Sequence, residues 1–171
     1  MEITLDTDPG RWLDAMDNWR TLAYLEGVRG NVEAAQVVQR HARSLLARYH
    51  HGPMSRTPSP PGEPPAMISG RLAASVLVQR DGDDALVGPT SWASSKNGPY
   101  GRFLELGGEH AARNRTGYMW WREDGFRHRA RKLSKAPRPY LRPATEDAIS
   151  SGEIYEAYWR RWLTAQQVAA A

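Results

Sequence analysis

Apolar residues recur at helical spacing through the first third of the chain. Trp12, Leu13, Met16 and Trp19 open the pattern. Leu22, Leu25, Val28, Val32, Ala35, Val38, Ala42, Leu45, Leu46 and Tyr49 continue it. Steps of three and four residues place such side chains on one side of an α-helix. Asp8-Pro9-Gly10 supplies a start, because aspartate suits the cap and proline the first helical position. Gly27, Gly30 and Asn31 interrupt the run, and an interior glycine costs roughly 1 kcal/mol relative to alanine. The pattern therefore predicts a break or bend near Gly27 and Gly30, then a long amphipathic helix to about Tyr49. Arg40, Arg43 and Arg48 lie on its wet side. Before it, Ile3 and Leu5 alternate with polar residues as in a short strand.

From Gly52 to Ala66 the chain becomes a proline-rich loop, with Pro53, Pro58, Pro60, Pro61, Pro64 and Pro65. Such a composition favours extended, mobile conformations over regular structure. The apolar period then changes from helical to two. Leu72, Ala74, Val76 and Val78 alternate with their neighbours, Asp81-Gly82-Asp83-Asp84 supplies a turn, and Ala85–Gly88 reads as the returning strand. Tyr100, Phe103, Leu104 and Leu106 suit a short helical turn stopped by Gly107-Gly108. Met119–Arg122 and Phe126–Arg129 form a second hairpin around Asp124-Gly125. Pro137, Pro139 and Pro143 make Pro137–Ala144 a stiff extended strap. Tyr140 and Leu141 dock it on the core, and Arg138 and Arg142 are its exposed charges. Pro143 suits the first turn of a last helix over Thr145–Gln167, weakened at Ser150-Ser151-Gly152. The expected fold is α+β: a small antiparallel or mixed sheet with two hairpins, flanked by a long N-terminal helix and a C-terminal helix. At this length a single domain over residues 1–171 is expected.

Composition narrows the chemistry. The chain has no cysteine, which removes disulfide frameworks, thiol nucleophiles and cysteine-based zinc sites. His50-His51 has no third ligand nearby, so neither metal nor cofactor is expected. No apolar run approaches the ~20 residues of a membrane span, and Met1–Asp6 lacks the basic start and apolar centre of a signal peptide. The net charge is +4, but it is uneven. Ten Lys or Arg and only two acids fall between Arg113 and Arg142. This basic hairpin region, Arg113–Ala136 and the strap beyond it, is an electrostatic footprint for nucleic acid or an acidic protein. Arg122, Arg127, Arg129, Arg131 and Lys132 are its candidate contacts. Glu105 is the one acid between Asp84 and Glu109. A hydrolase would have to use it with His110 or His128, and no spacing supports that chemistry; a structural ion pair or hydrogen bond is its expected role. The last helix carries Tyr155, Tyr158, Trp159 and Trp162, more aromatic surface than a short helix normally needs, which points to burial against a partner chain.

The ordered motifs have a counterpart in a known family. Ser69-Gly70-Arg71-Leu72-Ala73-Ala74-Ser75-Val76 is followed by a strand end at Val87-Gly88, then Tyr100-Gly101-Arg102-Phe103-Leu104-Glu105-Leu106-Gly107, a basic hairpin and Arg138-Pro139-Tyr140-Leu141-Arg142-Pro143-Ala144. This series resembles the neck or tail-completion proteins of long-tailed bacteriophages, the head–tail joining or minor tail proteins. Their pattern runs tG-x-L-x-x-S, then yA-x-x-x-E-x-G, then rPfl-x-PA. The resemblance covers about Gly30 to about Arg160. Gly101 stands where the family usually has alanine, and the helix carrying Trp12 and Trp19 looks like an addition. The resemblance implies a non-enzymatic virion structural protein, assembled in the host cytoplasm into a ring, commonly six-fold, at the head–tail junction. Implied partners are copies of itself, adjacent connector or stopper proteins, tail terminator or tail-tube proteins, and transient non-specific DNA in the lumen, with no membrane. A closed ring needs two different faces on each subunit; the N-terminal and C-terminal helices are candidates for one each. Interface candidates are Trp12, Trp19, Tyr140, Tyr155, Trp159 and Trp162.

Overall fold

A computed structural model describes residues 8–48, 59–67, 70–90, 94–95, 98–111, 116–123 and 126–169. The expected strand at Ile3 and Leu5, the His50-His51 pair, Trp92 and the Asp124-Gly125 turn lie outside them. In chain order the elements are α1 (Pro9–Ala47), α2 (Arg71–Ser75), β1 (Val76–Asp81), β2 (Asp84–Pro89), β3 (Ser94–Ser95), β4 (Gly98–Pro99), α3 (Tyr100–Leu106), β5 (Gly108–Ala111), β6 (Met119–Glu123), β7 (Phe126–Ala130), β8 (Lys132–Lys135), α4 (Leu141–Ser150) and α5 (Glu153–Ala169). The strands form two-stranded sheets, β1–β2, β3–β4, β5–β8 and β6–β7. The fold is α+β, with a long N-terminal helix, a C-terminal helix and small antiparallel sheets.

The chain forms two compact units. One comprises Met1–Val38, Val78–Val87 and Ala148–Ala171; the other comprises Gln39–Leu77 and Gly88–Asp147. In the first, the buried residues include Val28, Ala34, Ala35 and Val37 of α1, Ala148 of α4, and Ala157 and Ala165 of α5. α1 starts as its cap predicts: the Gly10 N–H donates to Asp8 Oδ1 at 2.9 Å. It does not break at Gly27 or Gly30. A Cβ on Gly30 would lie 2.7 Å from Tyr158 Cδ1, so this glycine lets the Tyr158 ring pack against the helix backbone, and that packing offsets its poor helix propensity. Tyr158 Oη then donates to Asn31 Oδ1. Asn31 Nδ2 donates to the Asp83 carbonyl at 2.8 Å, and Tyr24 Oη donates to the Asp83 carboxylate. The tip of the β1–β2 hairpin is thus tied to α1 by two side chains on one helical face, two turns apart.

The second unit is centred on Ala42, Leu46, Leu72, Ser75, Val76, Tyr140 and Ala144, all buried. Here the strand expected from Leu72 begins only at Val76. Leu72, Ser75 and Val76 are the buried positions, a step of three and then one that belongs to a helical turn. Arg, Leu and Ala are strong helix formers, and β-branched residues appear only at Val76 and Val78. Gln39 Nε2 and Arg43 Nη2 both donate to the Val76 carbonyl, at 2.8 and 3.0 Å, fixing the start of β1 on α1. The basic hairpin also differs from expectation. β6 and β7 pair as predicted, with Met119 opposite Ala130 and Glu123 opposite Phe126. The last basic strand, β8, instead pairs with β5, setting Gly108 opposite Lys135 and Ala111 opposite Lys132.

Candidate functional site

Two sequence motifs far apart in the chain meet at one carboxylate. Glu105, on the last turn of α3, accepts from three consecutive backbone N–H groups. Tyr140 and Leu141 donate to Oε2 at 2.8 and 3.0 Å, and Arg142 donates to Oε1 at 2.9 Å. These are orphan donors at the start of α4, and the carboxylate also complements the positive end of the helix. Beside it the Arg138 N–H donates to the Leu104 carbonyl at 2.6 Å. The expected extended strap is therefore shorter than read: it covers Ala136–Pro139, and Leu141–Ala144 are helical. Pro143 falls in the first turn, where its missing N–H leaves no bond unmade. The end of α3 is shaped to let the strap pass. Gly107 has φ 66°, and a Cβ there would meet the Lys135 carbonyl at 2.7 Å and Pro137 N at 2.8 Å.

The same strap holds part of the proline-rich loop. The Gly62 N–H donates to the Pro137 carbonyl at 3.0 Å, and Arg138 Nε donates to the Ser59 carbonyl at 3.1 Å. Ser59, Pro64 and Pro65 are buried while Pro60, Pro61 and Gly62 between them are exposed, so the described part of the loop is pinned at both ends. Gly101, where the resembled family carries alanine, faces Pro89: an added Cβ would sit 2.6 Å from Pro89 Cγ. A glycine at this motif position suits this chain's own neighbour.

The interface candidates separate into two classes. Tyr140 is fully buried in its own chain, so it belongs to the core and not to a surface open to a partner. The strap reading that docks Tyr140 on the core holds, and its place among the interface candidates does not; its backbone N–H is held by Glu105. Trp12, Trp19, Tyr155, Trp159 and Trp162 are exposed. On α5, the Trp159 and Trp162 rings stack with centroids 4.7 Å apart at 24°. With Tyr155, Glu156 and Tyr158 they line a shallow, mostly apolar recess. The opposite side of α5 faces its own unit through Ala157 and Ala165. There Arg161 donates to Glu26 Oε2 at 3.4 Å and to Glu33, and Arg29 also donates to Glu26. The Glu33 hydrogen bond chiefly, helped by both carboxylate charges, holds the Arg161 guanidinium above its ordinary pKa despite partial desolvation. This buried carboxylate with two arginines was missed in the sequence, although Glu26, Glu33 and Gly30 on one α1 face were its signal.

The basic candidates lie in the second unit. Arg127, Arg129, Arg131 and Lys132 are exposed. The register sets Arg122 opposite Arg127 and Trp120 opposite Arg129, so these four positions share one face of the ribbon. The guanidinium groups of Arg129 and Arg131 lie 5.2 and 5.3 Å from the Tyr118 ring centroid, within cation–π range. Arg131 Nε also donates to Tyr118 Oη at 3.3 Å. Lys132 Nζ lies 3.7 Å from Glu109, so its charge is partly answered on the neighbouring strand.

Among the described residues no group of three or more His, Cys, Asp or Glu is placed to hold a metal ion. Among them, too, no helix is long and apolar enough to cross a membrane. Comparison of the chain with protein-family models, with curated proteins and with solved structures finds no match.

Proposed function

We propose that this chain is a virion structural protein of the tailed-phage neck, forming a ring that joins the capsid connector to the tail with the genome passing through its lumen. The observation that carries the reading is the exposure of aromatic residues on two separate helices, Trp12 and Trp19 on α1 and Tyr155, Trp159 and Trp162 on α5. A solitary chain gains nothing by holding such surface in water, whereas a subunit buries it against its neighbours. The place in the particle comes from the motif order. The Glu105 motif and the Arg138–Ala144 motif have a physical reason to occur together, since one caps the helix that the other begins. The test is light scattering or native mass spectrometry of the purified protein, alone and with connector and tail-terminator partners, together with its localisation in imaged particles. A ring-sized mass is expected. A strict monomer that never enters particles refutes the proposal.

A second reading is a nucleic-acid-binding module built on the basic hairpin. One observation favours it: the Arg129 and Arg131 guanidinium groups lie 5.2 and 5.3 Å from the Tyr118 ring centroid, an aromatic surface beside two cations, as in single-strand binders. This reading expects DNA affinity that falls steeply with salt, by a log–log slope of about −0.9 per phosphate neutralised on duplex. Weak binding at low salt, unchanged when Arg127, Arg129 and Arg131 are replaced, rejects it.

A further inference from the structure

α1 carries one stripe along its whole length, and only part of it is covered by the chain itself. Trp12, Met16, Trp19 and Ala23 continue in steps of three and four to Gly30, Ala34 and Val37, so all lie on one helical face. At Gly30 that face receives Tyr158 of α5, and Ala34 and Val37 are buried. From Asp8 to Thr21, by contrast, every residue is exposed. Trp12 and Met16 keep 63% and 62% of their surface in water.

α5 has a matching stripe. Tyr155, Trp159 and Trp162 follow the same spacing of four and three as Trp12, Met16 and Trp19. The face they form is not the one that packs at home, which holds Ala157, Arg161 and Ala165. Tyr155 and Trp159 remain 66% and 57% exposed.

We infer that the first turns of α1 in one subunit pack on the Tyr155–Trp162 face of α5 in a second copy of this chain. The inference rests on the ring reading and names its contact. Taking ~200 Å² for each large side chain, the exposed fractions of the six stripe residues amount to about 660 Å² of apolar surface. Interfaces are about 60% apolar. The contact would therefore bury about 1,100 Å² in total, just above the ~1,000 Å² that a specific interface has to clear. Pairing α1 with α1, or α5 with α5, would cover one stripe and leave the other in water. Pairing α1 with α5 covers both stripes of every subunit through a single repeated contact. That contact joins two different faces, so it closes into a ring or extends into a filament and does not stop at a two-fold dimer.

The absence of native cysteine makes the test clean. Met16→Cys and Trp159→Cys are prepared as separate proteins, mixed, and oxidised. Wild-type protein is weighed in parallel by light scattering. The expected result is a disulfide-linked species at twice the 19.2 kDa chain mass, abundant in the mixture and absent from either variant alone. Because each chain carries one cysteine, the link must be between copies. If Trp159→Cys loses its far-UV circular dichroism, Tyr155→Cys replaces it on the same stripe. Cross-links within single variants and none specific to the mixture, from protein that still weighs as an oligomer, overturn this contact and leave the ring standing. A wild-type mass of one chain at all concentrations, with no cross-link, removes both.

Discussion

Replacing Glu105 tests whether one side chain sets the start of α4. Its carboxylate receives three backbone N–H groups at 2.8, 3.0 and 2.9 Å, two of them in half-buried surroundings. A hydrogen bond to a charged group contributes about 1.5–3 kcal/mol, and a carboxylate at a helix N-terminus adds about 0.3–1 kcal/mol. These contributions do not add fully, because water can reach the exposed Arg142 N–H once the side chain is gone. Glu105→Ala should therefore destabilise the protein by about 3 kcal/mol, near the upper end for single substitutions. For a chain of this length that lowers Tm by roughly 6–12 °C. Glu105→Gln keeps one acceptor oxygen, able to serve the Tyr140 and Leu141 donors together. It loses the charge and turns an NH₂ group toward the Arg142 donor, so it should cost about half as much, ~1.5 kcal/mol. Urea unfolding followed by circular dichroism measures both, with the midpoint moving at constant slope. A Glu105→Ala loss within about 0.5 kcal/mol of zero would refute the capping argument. Equal losses for alanine and glutamine would show that charge and acceptor count do not matter at this helix end.

Further outcomes follow from the same contacts. Gly27 has open space where a Cβ would go, whereas Gly30 faces the Tyr158 ring at 2.7 Å. Gly27→Ala should therefore stabilise by up to about 1 kcal/mol and Gly30→Ala should destabilise by about 1–2 kcal/mol in thermal unfolding; the same sign for both would contradict the packing account. Replacing Trp159 or Trp162 with alanine should weaken self-association about 30-fold each, as for a 2 kcal/mol interface residue, while leaving the unfolding midpoint of the chain nearly unchanged. If the chain unfolds instead, these rings are core. Hydrogen bonding to Asp83, then desolvation and the Asp83 charge, raise the Tyr24 phenol above its ordinary 10.0 against the opposing Arg80 charge. The bond's contribution is then complete below pH 10 and fades as pH rises through the elevated folded-state value. The stability difference between the protein and Tyr24→Phe should accordingly be flat in neutral buffer and shrink in alkali; a difference that grows with alkali would reverse the assignment.

Element type was legible wherever the apolar period was long and the turn residues were specific. α1 followed from its spacing of three and four, α3 from Tyr100 to Leu106 with its glycine stop, and the β6–β7 pair from two arms flanking the turn residues Asp124-Gly125. What escaped the sequence depended on partners distant in the chain. Nothing local to Gly27 and Gly30 distinguishes a helix break from a place where another helix approaches; Tyr158, more than a hundred residues on, decides it. The strap was shortened for the same reason. Leu141–Ala144 read as extended from its prolines, and became helical because Glu105 supplies the acceptors that start a helix there. Tyr140 docks on the core as its place in the strap implied, and its second reading as an interface residue is the one that fails.

Periodicity tells which side of a helix is apolar but not what lies on that side. α1 makes the distinction within one element. Its stripe from Gly30 to Val37 is core, closed by Tyr158 and the small residues around it, while the same spacing at Trp12, Met16 and Trp19 faces water. The residue types differ accordingly. Gly30 stands where Tyr158 of α5 comes close, and the large residues stand where the helix is exposed. Large side chains left outward are what a partner supplied by another molecule requires, because they reach across a wider gap and lose more when exposed. α5 repeats the division around its circumference, alanines inward and aromatic rings outward. A chain stable only by its own packing would have no reason to keep this division on both helices; a subunit that must meet two neighbours through two different faces has one.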